Sequence, residues 1–463
     1  LSSGESGDER SGLVSRIWRS LVRRPLPPRD DRQRKRIIIE TLILHFRPVW
    51  VPAKAIRYAH TFGLGGMSLI SFGLLAATGI LLLFAYEPAP GAAYESIIAL
   101  RDEVFFGPLV RTIHYWSANL LVIFIVLHLL RVYLTGGYYA PRQFNWVIGL
   151  ALLFCVLLSS LSGYLLPWDQ LSYWATTIVL GMIGYVPLVG EALAGAMRGG
   201  EHVGAATLVR FHAFHTTVSP LILIMLMAWH FWRVRQARGV VIPRAPDETY
   251  DDQPNRVLMV PNLLVREFSL ALILIAAVMV VSLFLPAPLG EAANEGMSPN
   301  PAKAPWYFVG VQELLLHFHP LLAVLVIPAL AAVGLLLIPY VRYQRDTSGI
   351  FMMSRQGRRL GLAAATCAAI LTPFLIVADE YWIDFAAWLP GAPAVVAEGI
   401  VPAGIPAILL AGLYAYLRRA RRVANNEAIQ TTVIALMTAF AVLTLTGALF
   451  RGPGMALTWP WNL

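Results

Sequence analysis

The stretch Arg210–Phe231, RFHAFHTTVSPLILIMLMAWHF, sets three histidines into a run that is otherwise almost wholly apolar. As a helix it is long enough to cross a hydrocarbon core of about 30 Å. Ionisable groups at such a depth are costly unless a partner or a ligand takes them up. The first question is therefore which of His212, His215 and His230 has one.

The whole chain has this character. Of its 463 residues, 57% are hydrophobic and 14% charged, and mean hydropathy is +0.63, outside the balance of a soluble domain. Apolar runs predict nine spanning helices, at 63–86, 112–134, 146–166, 213–235, 262–285, 319–341, 360–379, 400–418 and 428–450. The fold class is all-α, a polytopic membrane protein in contact with lipid.

Basic residues fill the N-terminal arm from Arg16 to Arg36, then every second connection: Arg131 and Arg142, Arg233 to Arg244, Arg342 to Arg359, Arg418 to Arg422. The alternate connections carry Glu87, Asp102, Glu191, Glu291, Asp379 and Asp384. Basic loops stay cytoplasmic, so the N-terminus is expected in the cytoplasm and the C-terminus on the positive side; the membrane is expected to be the inner membrane of a prokaryote. The same placement accounts for the net charge of +9 without a nucleic-acid partner. Cys155 and Cys367 sit in separate predicted spans with no CxxCH motif, which argues against covalent haem of the usual kind and an iron–sulfur cluster in this chain. The first 35 residues, polar and basic, predict a surface-lying or mobile arm and no cleavable signal.

The second span carries His114 and His128, which are 14 residues apart. On a helix that is about 21 Å of rise and about 40° of rotation. On the fourth span, His215 and His230 are 15 apart, about 22 Å and 60°, whereas His212 and His230 share a face but stand about 27 Å apart. Counting from a cytoplasmic start makes the two spans parallel, so ligands can be clamped at two depths only by matched spacings. The expected pairs are His114 with His215 near the positive side and His128 with His230 near the cytoplasmic side, with His212 left over. Opposed imidazoles at two depths suit two stacked b-type haems better than zinc.

Gly65 and Gly79 on the first span, and Gly149 and Gly163 on the third, repeat the same 14-residue interval. Such glycines would leave room for a porphyrin against the helix face. Arg111, Arg131 and Arg210 each lie within five residues of a predicted ligand and are candidate partners for haem propionates.

RTIHYWSAN (111–119), HLLRVYLTGGYYAPRQFNWVIG (128–149), SGYLLPWDQLSYWA (162–175) and the opening RFHAFHTTVSP resemble the cytochrome b subunit of quinol-oxidising respiratory and photosynthetic complexes, especially its chloroplast and cyanobacterial branch. SLFLPAPLGEAANEGMSPNPAKAPWYFVGVQELL (282–315) resembles the C-terminal portion of that family, a separate subunit in the chloroplast branch. The resemblance runs over about residues 50–345 and is loose beyond 360. It divides the chain into a basic arm (1–50), a four-helix di-haem bundle (51–240), a portion with the quinol-oxidation motif (241–350) and additional helices (351–463).

The resemblance implies two non-covalent b haems and quinol oxidation on the positive side. One electron would go to a Rieske iron–sulfur protein, and the other through both haems to a quinone on the cytoplasmic side. A c-type cytochrome subunit and a homodimeric complex are also implied. By motif, Gly163, Pro167, Trp168, Asp169, the turn from Leu171 to Met182, Pro305, Trp306 and Tyr307 would line the oxidation pocket, and Arg235 the cytoplasmic quinone pocket. His60, Asp251 and Asp252 are further polar groups on that side.

Two departures from the family pattern bear on chemistry. Its Pro-Glu-Trp-Tyr motif has a glutamate where this chain has Pro305, so Glu313 and Asp169 become the candidate proton acceptors, with Tyr307 as a polar helper. Menaquinol is the substrate expected with so divergent a motif, although no residue specifies it. In TFGLGG (61–66), Gly63 stands where the chloroplast branch has a cysteine that tethers an extra haem, so that covalent haem is not expected. His317 and His319 fall on nearly opposite faces and predict no shared metal, and His45 and His202 receive no role. The competing readings are a haem b membrane anchor of a hydrogenase or dehydrogenase, with one quinone site, and a secondary transporter with a histidine proton relay.

Overall fold

The computed structural model describes residues 30–40, 46–249 and 255–462. The arm residues before 30, with their arginines from Arg16 to Arg29, and His45, Asp251 and Asp252 lie outside the described residues. Among the described residues, nine helices are long and apolar enough to cross a membrane: α1 (Leu64–Leu83), α2 (Gly107–Leu134), α3 (Gln143–Leu165), α4 (Ala205–Gln236), α5 (Met259–Phe284), α6 (Leu322–Tyr340), α7 (Arg355–Tyr381), α8 (Val395–Arg419) and α9 (Asn425–Leu449). The largest departure from expectation is α4, which starts at Ala205 rather than at 213 because AATLVRFHA is already helical, with Arg210 and His212 on its last turn. Ile80, Phe154, Met225 and Ile273 are more than half exposed on these helices, as lipid-facing side chains are.

α1 packs on α2, α2 on α3 and α3 on α4, while α5 lies against α1 and α2. At one end of this bundle a two-stranded antiparallel ribbon, β1 (Trp50–Pro52) with β2 (Arg256–Leu258), ties the chain before α1 to the chain before α5. A short basic helix, Asp31–Glu40, buries Ile38 against Val51, Met259 and Val260 at this ribbon. A second group forms around α9, which packs against α7, α8 and the short helix Val309–His317. That last contact is close: a Cβ on Gly310 would meet Thr444 Oγ1 at 2.5 Å, and one on Gly447 would meet Glu313 Oε2 at 3.2 Å. Small residues let helix backbones approach in a membrane in this way.

α4, α6 and α8 each contain a π turn, at Phe214–Val218, Leu322–Val326 and Val395–Ile400. Each is followed at the second residue of the resumed α-helix by a proline, Pro220, Pro328 or Pro402. Proline lacks an N–H and crowds the carbonyl one turn back, and a widened turn just ahead of it relieves both problems.

Candidate functional site

His114 and His128 lie on α2, which is α-helical throughout. His215 lies inside the π turn of α4 and His230 on the α-helix beyond it. The π turn takes up one residue, so the interval of 15 on α4 behaves like the interval of 14 on α2. The rings of His114 and His215 face each other with centres 6.3 Å apart, and those of His128 and His230 at 6.5 Å, with planes crossed at 67° and 72°. These pairings make α2 and α4 parallel. His212 stacks instead on Tyr86, with centres 5.5 Å apart.

The separations suit one metal ion per pair. Two opposed imidazole nitrogens each about 2 Å from an iron, with roughly 1 Å more to each ring centre, put the centres about 6 Å apart. Hydrogen bonds also select the nitrogen that is left free. Thr78 Oγ1 donates to the Leu74 carbonyl at 2.6 Å, so His114 Nδ1–H donates to Thr78 Oγ1 at 2.9 Å. His215 Nδ1–H donates to the Ser159 carbonyl at 2.9 Å. Both rings are thereby held with a bare Nε2, as a supporting hydrogen bond does for metal-ligating histidines. The residues fit a bis-imidazole haem.

Each of the four glycines backs one histidine. A Cβ on Gly163 would stand 2.4 Å from His215 Cε1, on Gly65 3.3 Å from His128 Cε1, on Gly79 3.3 Å from His114 Cε1, and on Gly149 3.7 Å from His230 Cε1. The space that the glycine interval predicts for a porphyrin also admits the imidazoles.

Beside His128 and His230 opens a cavity of about 310 Å³, whose wall includes Gly65, Gly149, Arg131 and Arg142. Arg131 is buried, donates through Nε to the His60 carbonyl at 2.9 Å and sets Nη2 2.6 Å from His60 Nε2, a nitrogen that also lies 2.7 Å from the Val241 carbonyl. Burial, reinforced by the Arg131 charge, lowers the pKa of His60 to about 4, so the imidazole is neutral. Arg235 is not among the described residues on this wall. Its guanidinium lies over the Trp232 ring, 5.5 Å from the centre. Gly63 has the left-handed φ of +66°, and a Cβ there would lie 2.0 Å from Leu270 Cδ2. Arg111 donates to the Ala287 carbonyl at 2.9 Å and also to Pro288, while Arg210 donates to Ala196, so both tie connecting segments to their helices.

At the other end, Trp168 is 4% exposed in a core with Leu165, Tyr173, Leu180 and Phe211, which excludes a role as an interfacial anchor. Pro167 precedes it, half-buried. Asp169 caps the helix Gln170–Gly184, its Oδ1 accepting from Ser172 N–H at 2.9 Å and its Oδ2 from Gly290 N–H at 3.0 Å. That helix turns Ser172, Tyr173, Thr176 and Leu180 inward. Trp306, after Pro305, donates its indole N–H to Asn119 Oδ1 at 2.7 Å, on the same helix as His114. Tyr307 packs against the α2–α3–α4 core and bonds Ser160.

Asp169 and Glu313, the two candidate proton acceptors, both have partners. Both oxygens of Asp169 are taken by backbone amides, which makes it a helix cap. Glu313 is 0% exposed, not a solvated carboxylate, and pairs with Arg451, whose Nη2 is 2.6 Å from its Oε1. His317 bridges Glu313 at 3.3 Å and Asp379 at 2.6 Å. Burial raises the Glu313 pKa, but His317 and Arg451 outweigh it and hold the carboxyl below its ordinary range. Arg451 escaped the sequence reading because nothing near it marks a site. Thr78 carries a weak signal, standing next to Gly79.

The sequence profile of Cytochrome b/b6/petB matches residues 51–238, a range that holds both histidine pairs. A cytochrome b6 of Synechococcus sp. (strain CC9311) is 39% identical over 209 residues, 45% of this chain and 94% of that protein. A cytochrome b6 of Synechococcus sp. (strain CC9605) is 43% identical over 173 residues, 37% of this chain and 79% of that protein. Among solved structures, a chain of a hyperthermophilic respiratory Complex III shares the fold with a TM-score of 0.60 at 24% identity, over 82% of this chain and 92% of its own. With 39% identity sustained across nearly the full length of a cytochrome b6, this chain belongs to the cytochrome b/b6 family of multi-pass electron-transfer proteins that work with b haem.

Proposed function

We propose that the chain is the cytochrome b subunit of a quinol-oxidising, proton-translocating complex in a prokaryotic inner membrane, with its N-terminus cytoplasmic. The observation that carries this reading is the presence of two histidine pairs, with ring centres 6.3 and 6.5 Å apart, at two depths of parallel helices. His114 with His215, and His128 with His230, would each hold one b haem, with Gly65, Gly79, Gly149 and Gly163 giving the rings room. Once bound, the two haems supply one-electron carriage between the faces of the membrane. The Leu270 side chain pressed on Gly63 speaks against a further covalent haem at that position.

Quinol would bind on the positive side against Pro167, Trp168, Pro305, Trp306 and Tyr307. Burial raises the Tyr307 pKa, so its hydroxyl stays protonated and serves as a hydrogen-bond donor to the substrate oxygen rather than as a base. Oxidation releases two protons and two electrons. One electron would leave to a Rieske protein and on to a c-type cytochrome, and the other would cross to a quinone on the cytoplasmic side. Arg131 and Arg142, on the wall of the cavity beside His128 and His230, would favour the negative charge of the propionates of the haem held there. Menaquinol is the proposed substrate and a homodimer the proposed assembly.

The test is a redox titration of reduced-minus-oxidised spectra on the purified complex. Two b components of different potential are expected, and a single component sinks the reading. Insensitivity of quinol turnover to a positive-side inhibitor would favour the one-site membrane anchor instead.

A further inference from the structure

Residues 302–308 have little regular structure of their own, so the Pro305–Tyr307 wall must be held from outside. Trp306 is fixed to Asn119 on one side. On the other, Gln312 clasps the segment: its Nε2 donates to the Ala302 carbonyl at 2.6 Å and its Oε1 accepts from Ala304 N–H at 2.8 Å. Gln312 belongs to the helix Val309–His317, which is seated on α9 across Gly310 and Gly447. Lys303 Nζ also reaches the Ala448 carbonyl of α9 at 3.4 Å.

Next to Gln312, the fully buried Glu313 is gripped from just beyond α9. Arg451, 1% exposed, places Nε 3.1 Å from both carboxylate oxygens and Nη2 2.6 Å from Oε1. Its Nη1 donates to Glu380 on α7 at 2.6 Å and to the Met455 carbonyl at 2.8 Å. A planar guanidinium anchored at three points has one position available to it, which a lysine ammonium would not reproduce.

We infer that Arg451 is a positioning residue for quinol oxidation: through Glu313 it fixes the helix whose Gln312 shapes the Pro305–Tyr307 wall. α7 and α9 thereby become part of the quinol site, although they lie outside the segment matched by the family profile. The inference rests on the function proposed above.

The test uses the purified complex. Wild type must show quinol oxidation blocked by a positive-side inhibitor; failure there overturns the proposed function and this inference with it. Given that activity, Arg451→Gln is expected to raise the quinol KM about tenfold while kcat stays within about twofold, since the wall is displaced and the reacting groups are kept. The b-haem spectrum should be unchanged, and Arg451→Lys should recover part of the KM. An assembled Arg451→Gln complex with unchanged KM overturns the inference alone, as does a loss of kcat accompanied by loss of haem. If Arg451→Gln does not assemble, Gly447→Ala, which crowds Val309 and Glu313, is expected to raise KM about threefold. An assembled Gly447→Ala complex with wild-type KM overturns the inference equally.

Discussion

A methyl group on Gly163 would stand 2.4 Å from Cε1 of His215, inside the contact distance of two carbon atoms. α3 is cut back at that one position to seat a ring carried by α4. Gly149 is the contrasting case, where a methyl group would make an ordinary contact of 3.7 Å with His230. Gly163→Ala is therefore expected to strain the His215 seat by about 1–3 kcal/mol and to weaken or remove one b component in a redox titration. Gly149→Ala should leave both. Equal behaviour of the two variants would contradict the seating role.

His128→Ala should remove only the cytoplasmic-side b component, provided the protein assembles, because His114 and His215 form a separate pair. His212→Ala should remove neither, since that ring stacks on Tyr86. Haem quantification with difference spectra decides; loss of haem on changing His212 would reopen the pairing.

Asp169 is expected to behave as a cap. Asparagine caps helices as well as aspartate does, though its single oxygen can keep only one of the bonds to Ser172 and Gly290, and alanine, which loses both, costs about 1 kcal/mol for the cap alone. Asp169→Asn should therefore keep quinol turnover, and Asp169→Ala should lower the thermal midpoint with turnover per folded complex retained. Turnover abolished in Asp169→Asn at an unchanged midpoint would restore the residue as a proton acceptor.

His317 gives a pH dependence. Burial acts to lower its pKa, but the bonds to Asp379 and Glu313 prevail and raise it from 6.5 to about 9. A raised pKa stabilises the fold fully below the unfolded value of 6.5, progressively less as pH rises, and not at all above about 9. The thermal midpoint should fall by a few degrees, about 3 °C or more, across that window. His317→Gln, which carries no charge, should flatten the dependence. Parallel curves for the two proteins would rule out His317 as its source.

Much of this architecture was legible in the residues. Apolar runs are long because bilayers are thick, so the spans could be placed to within a few residues at most ends. Depth is proportional to residue number on any helix, so matched intervals selected His215 over His212. The π turn was not legible as such: a helical projection assigns His215 and His230 about 60° of rotation and cannot see a change of hydrogen-bond register, although Pro220 marks where to look. Least legible were the charges. Glu313 reads as an interfacial carboxylate until Arg451, 138 positions away, is folded onto it. Asp169 reads as a free acid until the Gly290 amide arrives from another connection.

That separation bears on how the chain is made. During synthesis Glu313 is placed four membrane helices ahead of Arg451, and a buried carboxylate without its cation costs several kcal/mol. His317, four positions along and 3.3 Å away, is the partner already present when the ribosome has finished that turn. In the completed protein it shares the work with Arg451; in the nascent one it is the hydrogen-bond partner on the same short helix. His317→Leu is accordingly expected to lower the yield of membrane-integrated chain in pulse-labelling more than it lowers the thermal midpoint of complex already assembled, and an effect confined to the midpoint would refute this order of events.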